Sequence, residues 1–286
     1  MRVAPENAAD AAEAAAGADF GRVDRTSDPA SFVRYLDAAS ATEWARTYKR
    51  RAFALLGVRA GDRILDVGCG AGDDTRELAH LVGTTGWVVG LDNSTTMVTE
   101  ATRRSEGLGL PLEYRRGDVH RLGFADDAFD GCRADRVLQH LADPERALAE
   151  ITRVVRRGGR VVVSEPDWET LLVDAPDHAV TRKIVELRGH RIRNGRIGRQ
   201  LRARLTAVGL RGVVIHAETL IVEDYAQADR LFSLAATALA AREAGLVGAA
   251  EAEDWVRSLE EADRQGRFFG SATIFTGGGT KPKEGN

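Results

Sequence analysis

The chain has 286 residues, of which 43% are hydrophobic, enough for a sizeable core in one large domain or in a domain with a cap. Its formal net charge of −3 argues against a general affinity for nucleic acid, and no run of about 18 apolar residues predicts a membrane span. Two cysteines, Cys69 and Cys132, suit neither a disulfide framework nor a zinc site, and they favour a reducing cytoplasm. We therefore expect a cytoplasmic protein that binds no metal, nucleic acid or membrane.

The first segment in chain order is rich in alanine and acidic residues, and we expect residues 1–21 to form a flexible tail. A helix docked on another part of the protein is the alternative. The apolar spacing from Phe32 to Leu56 then predicts helical structure.

Short apolar runs next alternate with helical patterns, which predicts a parallel sheet covered on both faces. The predicted strands are Arg63–Val67, Trp87–Asp92, Leu112–Arg116, Phe129–Arg133, Arg160–Glu165, Val213–Val222 and Phe268–Thr276. The helices predicted between them are Asp74–Leu81, Ser94–Ser105 and Pro144–Val155.

The alternation stops after Glu165, where about fifty residues precede the next strand. Two apolar stripes at helical spacing occupy this stretch, separated by a turn at Arg193–Arg196. We expect four parts: the flexible N-terminal tail 1–21, N-terminal helices with a ligand-binding core in 22–170, a helical cap insertion in 171–209, and C-terminal core strands in 210–280 with inserted helices 224–262.

A glycine-rich loop lies in the motif "ILDVGCGAG", which places Gly68, Gly70 and Gly72 directly after a strand and before a helix. Glycine allows a positive φ and lets backbone approach a ligand closely. Ligands in open α/β sheets sit at this carboxyl edge. A tight turn without a ligand is the alternative.

Three carboxylates surround this loop: Asp66, Asp73 and Asp74. Asp73 occupies the third small position of the dinucleotide fingerprint. Carboxylates repel a pyrophosphate, so the loop favours a ligand that has an ammonium group and a sulfonium but no phosphate.

Further carboxylates end the next two strands. Asp92 lies 20 residues past Gly72, where it could accept hydrogen bonds from both ribose hydroxyls. Asp118 ends the third strand, where it could accept one from the exocyclic amine of an adenine. Ordinary N-cap or turn aspartates are the alternatives.

With these motifs the chain resembles the class I S-adenosylmethionine-dependent methyltransferases, and most closely their ubiquinone/menaquinone-biosynthesis-like branch (methyltransferase type 11). The resemblance covers about Leu56 to Trp168, and its four motifs are "ILDVGCGAG", "GLDNSTTMV", "GDVHRLGFADDAFD" and "VLQHLADPERALAEITRVVRRGGRVVVSEPD". It implies an α/β, Rossmann-like fold whose seven strands have the order 3-2-1-4-5-7-6, the last antiparallel. "GRFFGSATIFTGG" fits that last strand. The implied cofactor is S-adenosylmethionine and the product is S-adenosylhomocysteine.

The resemblance also implies which residues bind this cofactor. Its methionine part would be bordered by Asp66, Gly68, Cys69 and Gly70, with Arg136 placed to pair with its carboxylate. A salt bridge on a helix face is the alternative for Arg136. The ribose and adenine would meet Asp92, Asn93, Met97, Asp118 and Val119.

Methyl transfer depends mainly on positioning and desolvation, and a general base is required only if the acceptor must lose a proton. His140 is the candidate catalytic base, and a structural histidine that binds a loop carbonyl is the alternative. Gln139 could orient the substrate. Glu165, Asp167 and Trp168 would rim the substrate pocket, where Trp168 could hold an aromatic or cationic group or serve cap packing only.

The stretch from Arg182 to Arg204 contains nine basic residues and one acidic residue. A solvated helix face is the ordinary interpretation. The alternative is an electropositive lid over an acidic substrate, in which Arg188, Arg191 and Arg193 would contact that substrate.

These observations predict methyl transfer to a small-molecule acceptor, such as a natural product or another secondary metabolite. The alternatives are an enzyme that binds S-adenosylmethionine for non-methylating chemistry, such as a cyclase, and a nicotinamide-dependent oxidoreductase, which Asp73 disfavours. The basic stretch keeps an RNA or protein substrate open. An exposed cap is compatible with a homodimer.

Overall fold

The computed structural model of the protein describes residues 20–40 and 42–283. The predicted tail 1–21 therefore falls outside the described residues, except for its last two. These two residues do not belong to a flexible tail, because they begin a 3₁₀ turn, Phe20–Arg25.

Seven strands form one sheet in the order β3-β2-β1-β4-β5-β7-β6 within the described residues. Their bounds are β1 (Arg63–Val67), β2 (Trp87–Asp92), β3 (Leu112–Arg116), β4 (Phe129–Asp135), β5 (Val155–Val173), β6 (Arg211–Val222) and β7 (Gly270–Thr280). Strands β1 to β5 pair in parallel, whereas β7 is antiparallel to both β5 and β6. The predicted fold class and strand order are confirmed.

The α-helices alternate with these strands and cover the sheet. They are α1 (Pro29–Ser40), α2 (Glu43–Leu56), α3 (Asp73–Val82), α4 (Thr95–Ser105), α5 (Pro144–Val154), α6 (His178–His190), α7 (Ile197–Ala207), α8 (Tyr225–Phe232), α9 (Leu234–Glu243) and α10 (Ala249–Arg264). The helical region predicted at Phe32–Leu56 is two helices, because the Thr42 side chain caps α2 by accepting from the N–H of Ala45. Of the helices described, none has the length and apolarity that a bilayer crossing requires.

The two faces of the sheet carry separate cores. On one face, side chains of α5 and α7 such as Ile151 and Leu201 pack with Val161 and Val163. On the other, α2 and α3 pack against Val162. This alternation follows from the two-residue period of a strand and explains the continuous apolar run in β5.

The cap differs from the predicted insertion in two respects. Strand β5 continues past Glu165 to Val173, because its upper part pairs with β7. Its Trp168 and Leu171 join α6, α8, α9 and α10 in a third core. Helix α7, predicted as part of the 171–209 cap, instead packs on the sheet, where its stripe of Ile197, Leu201 and Leu205 is buried.

The second inserted block, predicted at 224–262, is three helices, α8 to α10. Ser233 ends α8 with a left-handed φ of 57° and redirects the chain into α9. The described cap is therefore α6 with α8 to α10, all gathered around the extension of β5.

Candidate cofactor and substrate cavity

A cavity of about 520 Å³ opens at the carboxyl ends of β1, β2 and β4, between the Phe20–Arg25 turn and the cap. Parallel α/β sheets bind ligands at this edge because the strand-to-helix loops converge there. The predicted site residues that line it are Gly68, Cys69, Gly70, Asp92, Asn93, Met97, Asp118, Val119, Arg136, Gln139, His140, Trp168, Arg188 and Arg191.

The glycine loop exposes backbone to the cavity because side chains do not fit there. Gly68 has a φ of 68°, and a Cβ added to it would lie 2.3 Å from Cγ2 of Val137. Gly70 has a φ of 52°, and its Cβ would lie 2.9 Å from Cδ1 of Leu36. Both the left-handed backbone and the lack of space require glycine at these positions.

Asp92 lies against this loop and is ready to accept further hydrogen bonds. Its Oδ2 accepts from the N–H of Gly70 at 3.0 Å, and its Oδ1 accepts from the N–H of Ser94 at 2.9 Å. Burial raises the pKa of Asp92, although these hydrogen bonds oppose the rise. Each carboxylate oxygen keeps a second acceptor position, which fits a pair of ribose hydroxyls.

The Phe20–Arg25 turn closes one side of the cavity, and no sequence pattern predicted this role. Asp24 accepts from Ser94 Oγ at 2.6 Å and from the N–H groups of Thr95 and Thr96 at 2.7 and 3.1 Å. It thereby satisfies orphan donors at the start of α4. About seventy residues separate the partners, so no local pattern could have revealed the contact.

Arg133 is the main residue of the site that no sequence pattern predicted. Its side chain is buried beneath the loop, and its guanidinium contacts three carboxylates. The distances are 3.0 Å to Asp66 Oδ1, 2.7 Å to Asp74 Oδ2 and 2.8 Å to Asp135 Oδ2. The sequence signal that could have revealed it is an arginine within a strand that is otherwise mostly buried.

This network changes the charge expected around the loop. Lys49 Nζ also lies 3.0 Å from Asp74 Oδ1. Burial pushes the pKa of Asp74 upwards, but Arg133 and Lys49 outweigh it and hold that pKa below its ordinary value. Asp73 pairs with Arg76. Lys49, Arg76 and Arg133 therefore already pair with carboxylates that we had expected to attract a cationic ligand.

Asp66 does not belong to the cavity wall, unlike the neighbours predicted with it. It is 1% exposed, and its carboxylate accepts from Thr75 Oγ1 at 2.7 Å and from Arg133 at 3.0 Å. Burial raises its pKa. The structure therefore corrects the expected direct contact: Asp66 supports the site from below, through Arg133.

Asp118 lines the cavity and also caps a turn. Its Oδ1 accepts from the N–H of His120 at 2.9 Å and lies 2.7 Å from His120 Nδ1. The local 3₁₀ turn, Val119–Arg121, begins directly after it. Asp118 is therefore a turn aspartate that also lines the cavity, and its hydrogen bond with an adenine amine stays a prediction.

Arg136 lies in the turn after β4 and not on a helix, so the alternative of a helix-face salt bridge is wrong. Its φ is 56°, and its backbone N–H donates to the Ser164 carbonyl at 2.7 Å. Burial would lower the pKa of Arg136, but Tyr48 and Asp135 raise it overall. Its buried Nε has no hydrogen-bond partner, so a donor remains for a bound carboxylate.

Glu165 supports the next part of the cavity wall from behind. Its carboxylate accepts from the N–H groups of Val137, Leu138 and Gln139 at 2.9, 2.6 and 3.4 Å. Burial raises the pKa of Glu165 to about 8, although these donors oppose the rise. Glu165 therefore holds the 3₁₀ turn that presents Gln139 and His140, and the prediction that it rims the pocket is wrong.

Asp167 is also misplaced by the sequence analysis. It is fully buried, and both of its oxygens are bound by Arg199 of α7. Arg199 also contacts Glu169 at 2.9 Å. Because its charge is matched on the side of α7, Asp167 does not contact the cavity, and the expected substrate contact is corrected.

The basic stretch from Arg182 to Arg204 also contains two kinds of arginine, those that pair with acids and those that line the cavity. Arg196 and Arg199 pair with Glu169, and Arg204 pairs with Glu145, so these three arginines form neither a lid nor a free cationic face. By contrast, Arg188, Arg191 and Arg193 line the cavity.

The cap side of the cavity is built around an indole. Trp168 Nε1 donates to Gln139 Oε1 at 2.8 Å, and the guanidinium carbon of Arg188 lies 4.3 Å from the indole centroid. The ring of His140 lies 5.3 Å from that of Phe20. These contacts hold five side chains around one end of the cavity.

The residues present fit S-adenosylmethionine. The cavity offers bare backbone, a buried carboxylate with acceptor capacity at Asp92, an unpartnered donor at Arg136 and apolar walls from Leu91, Met97 and Val119. These groups suit a nucleoside joined to an amino acid, and the described cations beside the loop, Arg133, Lys49 and Arg76, are paired with carboxylates.

Comparison with known proteins agrees with this geometry. The family described as methyltransferase domain matches residues 65–163. The chain is 39% identical over 256 residues to an uncharacterized 37.1 kDa protein in transposon TN4556 of Streptomyces fradiae, covering 89% of this chain and 72% of that protein.

The chain is also similar to enzymes that methylate quinones. It is 38% identical over 122 residues to the ubiquinone/menaquinone biosynthesis C-methyltransferase of Pseudomonas fluorescens, covering 42% of this chain and 48% of the relative. It is 37% identical over 118 residues to the 2-phytyl-1,4-naphtoquinone methyltransferase of Synechocystis, covering 41% and 50%. The chain thus spans about half the length of these relatives.

Among solved structures, the YcgJ protein from Bacillus subtilis superposes with a TM-score of 0.57 at 19% identity, covering 83% of this chain and 99% of that protein. An arsenic(III) S-adenosylmethionine methyltransferase from Chlamydomonas reinhardtii gives 0.51 at 20% identity, covering 79% and 66%. At such identities the likeness concerns the fold alone.

Proposed function

Because the chain belongs to the class I S-adenosylmethionine-dependent methyltransferases of the ubiquinone/menaquinone-biosynthesis-like type, we propose that it methylates a small-molecule acceptor, a natural product or another secondary metabolite. The observation that carries the proposal is the single cavity, which joins the Asp92 wall to the Trp168 wall. Cofactor and acceptor would meet between them.

Each part of the cavity has a task in this proposal. Asp92 would accept from the ribose hydroxyls, Asp118 would accept from the adenine amine, and Arg136 would donate to the methionyl carboxylate. When bound, S-adenosylmethionine supplies an electrophilic methyl group: the acceptor's lone pair forms the new bond to carbon, and the carbon–sulfur electron pair stays on the sulfur of S-adenosylhomocysteine. An acceptor O–H or N–H also releases its proton.

The chain's own residues would organise the acceptor. Gln139 is fixed by its hydrogen bond to Trp168, so its amide can orient an acceptor without first losing rotamer freedom. His140 lines the same end, where its imidazole would be placed to accept the acceptor's proton. The Phe20–Arg25 turn and the cap keep water from the reacting atoms.

Three observations support a small acceptor. The cavity volume is about 520 Å³, within the usual range for small-molecule sites of roughly 300–1,000 Å³. Three of the nine basic residues of the stretch, Arg196, Arg199 and Arg204, are paired with acids, which reduces the cationic surface available to RNA. The relatives named for quinone methylation also act on small molecules.

Both cysteines are free, which supports a site of action in the cytoplasm.

The test is incubation of the protein with S-adenosylmethionine carrying a deuterated methyl group and a host metabolite extract. We expect S-adenosylhomocysteine and one or more metabolites that have gained a labelled methyl group, measured by mass spectrometry. Intact cofactor binding without any labelled product would contradict the proposal. A product that appears only on RNA or protein would contradict the small-molecule acceptor.

The variant that tests the cofactor site is Asp92→Asn, and its matched control is Asp254→Asn. Loss of a charged acceptor should weaken cofactor binding by about 10- to 100-fold in calorimetry, because hydrogen bonds to a charged group contribute about 1.5–3 kcal/mol. Asp254→Asn, on the exposed surface of α10, should bind the cofactor like the wild type. Wild-type affinity in Asp92→Asn would remove Asp92 from the site.

A further inference from the structure

Arg188 is a buried cation at the cap wall of the cavity. Its residue is 4% exposed, and its Nε donates to the Phe232 carbonyl at 2.7 Å. The guanidinium also stacks on Trp168, with 4.3 Å between its carbon and the ring centroid. These two contacts hold the guanidinium plane in place beside the cavity.

This cation has no anionic partner among the described residues. No carboxylate there lies within ion-pair distance of it, and its buried NH1 has no hydrogen-bond partner. The titratable groups that act on it are Tyr35 and Arg191, and Arg191 is a second cation. Burial, with the help of Arg191, lowers the pKa of Arg188 to about 10, so the group stays charged at neutral pH.

An unpaired buried charge is costly, and the cost is recovered only when a partner of opposite charge arrives. From this geometry we propose that the acceptor carries a carboxylate, which binds the free edge of the Arg188 guanidinium. The inference rests on the proposed function, because it identifies the chemical class of the molecule that occupies the acceptor end of that cavity.

A carboxylate fits the available donors. One side of the guanidinium is committed to Phe232, which leaves a planar edge that matches the two oxygens of a carboxylate. A single fixed cation balances a monoanion. Trp168, Ile192 and Leu141 line the same cavity and favour an apolar or aromatic body for the acceptor. Arg191 and Arg193 line it too, and their charge attracts anions.

The inference can be tested before the acceptor is identified. The protein is saturated with S-adenosylhomocysteine and titrated calorimetrically with benzoate, phenylacetate and indole-3-acetate, and with the primary amide of each acid. We expect the wild type to bind at least one acid about tenfold more tightly than its amide, because a charge-assisted pair is replaced by a neutral hydrogen bond.

Two substitutions assign that preference to the guanidinium. Arg188→Met should remove it, and Arg188→Lys, which keeps the charge but loses the planar edge, should reduce it. Arg182→Met, which removes an exposed arginine of the same helix, should retain it. All three variants should bind S-adenosylhomocysteine with wild-type affinity.

The outcomes separate the alternatives. Equal binding of acids and amides, no binding of any acid, or a preference that survives in Arg188→Met overturns the inference. Tighter binding of phenyl phosphate than of benzoate overturns the assignment to a carboxylate. Loss of S-adenosylhomocysteine binding in Arg188→Met would mean that Arg188 binds the cofactor. Failure of the methylation assay alone would leave the acid preference intact and would concern only the proposed function.

Discussion

Two buried arginines on the same cavity differ in their partners. Arg133 is 2% exposed and Arg188 is 4% exposed, and each guanidinium lies over an aromatic ring, at 5.3 Å from Phe53 and 4.3 Å from Trp168. Arg133 contacts three carboxylates, whereas Arg188 contacts one carbonyl oxygen and no acid among the described residues.

The difference shows that the two halves of the cavity are prepared in different ways. In the half beside β1 and β4, Arg133 and Lys49 are already paired with carboxylates, those of Asp66, Asp74 and Asp135. In the cap half, none of the described residues that line the cavity is an acid. A buried charge that is paired contributes mainly to the fold, and one that is unpaired is better placed to select a ligand.

The largest expected effect is on Arg133. Arg133→Met leaves three carboxylates without their shared cation, so we expect a loss of about 3–5 kcal/mol in the free energy of unfolding. Urea denaturation of the full chain measures it. Arg103→Met, on the exposed surface of α4, should change stability very little. A similar small change in Arg133→Met would show that the network contributes little to the fold.

A pH-dependent effect is expected from Glu165, which supports the wall between the two halves. The folded protein keeps a proton on Glu165 up to a pKa of about 8, whereas the unfolded chain loses it near 4.5. The native state therefore binds the extra proton between these values, and stability falls as the pH rises through them.

The slope of this loss reaches about 1.4 kcal/mol per pH unit, since one proton is involved. Glu165→Gln cannot titrate, so the difference in unfolding free energy between wild type and variant should change with that slope and level off above the folded pKa. Urea denaturation at several pH values measures it. A difference that stays constant with pH would mean that Glu165 is ionised in the native state.

The smallest effect is expected from Arg188. Arg188→Met loses one hydrogen bond to Phe232 but also removes an unpaired buried charge, so the net change in unfolding free energy should stay within about 1 kcal/mol. Urea denaturation under the conditions used for Arg133→Met gives a direct comparison. A loss as large as that of Arg133→Met would mean that Arg188 is a structural residue.

Sequence patterns predicted many of the residues that line the cavity beside β1 and β2. The glycines of "ILDVGCGAG" and the carboxylates after the next two strands are local signals, because each follows directly from a strand end and a turn. The same reasoning failed for Asp167 and Glu165. Their partners, Arg199 and the backbone of the turn at Leu138–His140, come from other parts of the chain.

The sequence by itself determined the order of strands and helices, the glycine loop, and thus the edge of the sheet at which a ligand binds. Apolar periodicity and the conformational freedom of glycine act over a few residues, so they can be read directly. Only the tertiary structure decided which charges are paired. Among the described residues, Arg133 contacts three acids and Arg188 none, because ion pairing depends on distance in space, which the separation of residues along the chain does not reveal.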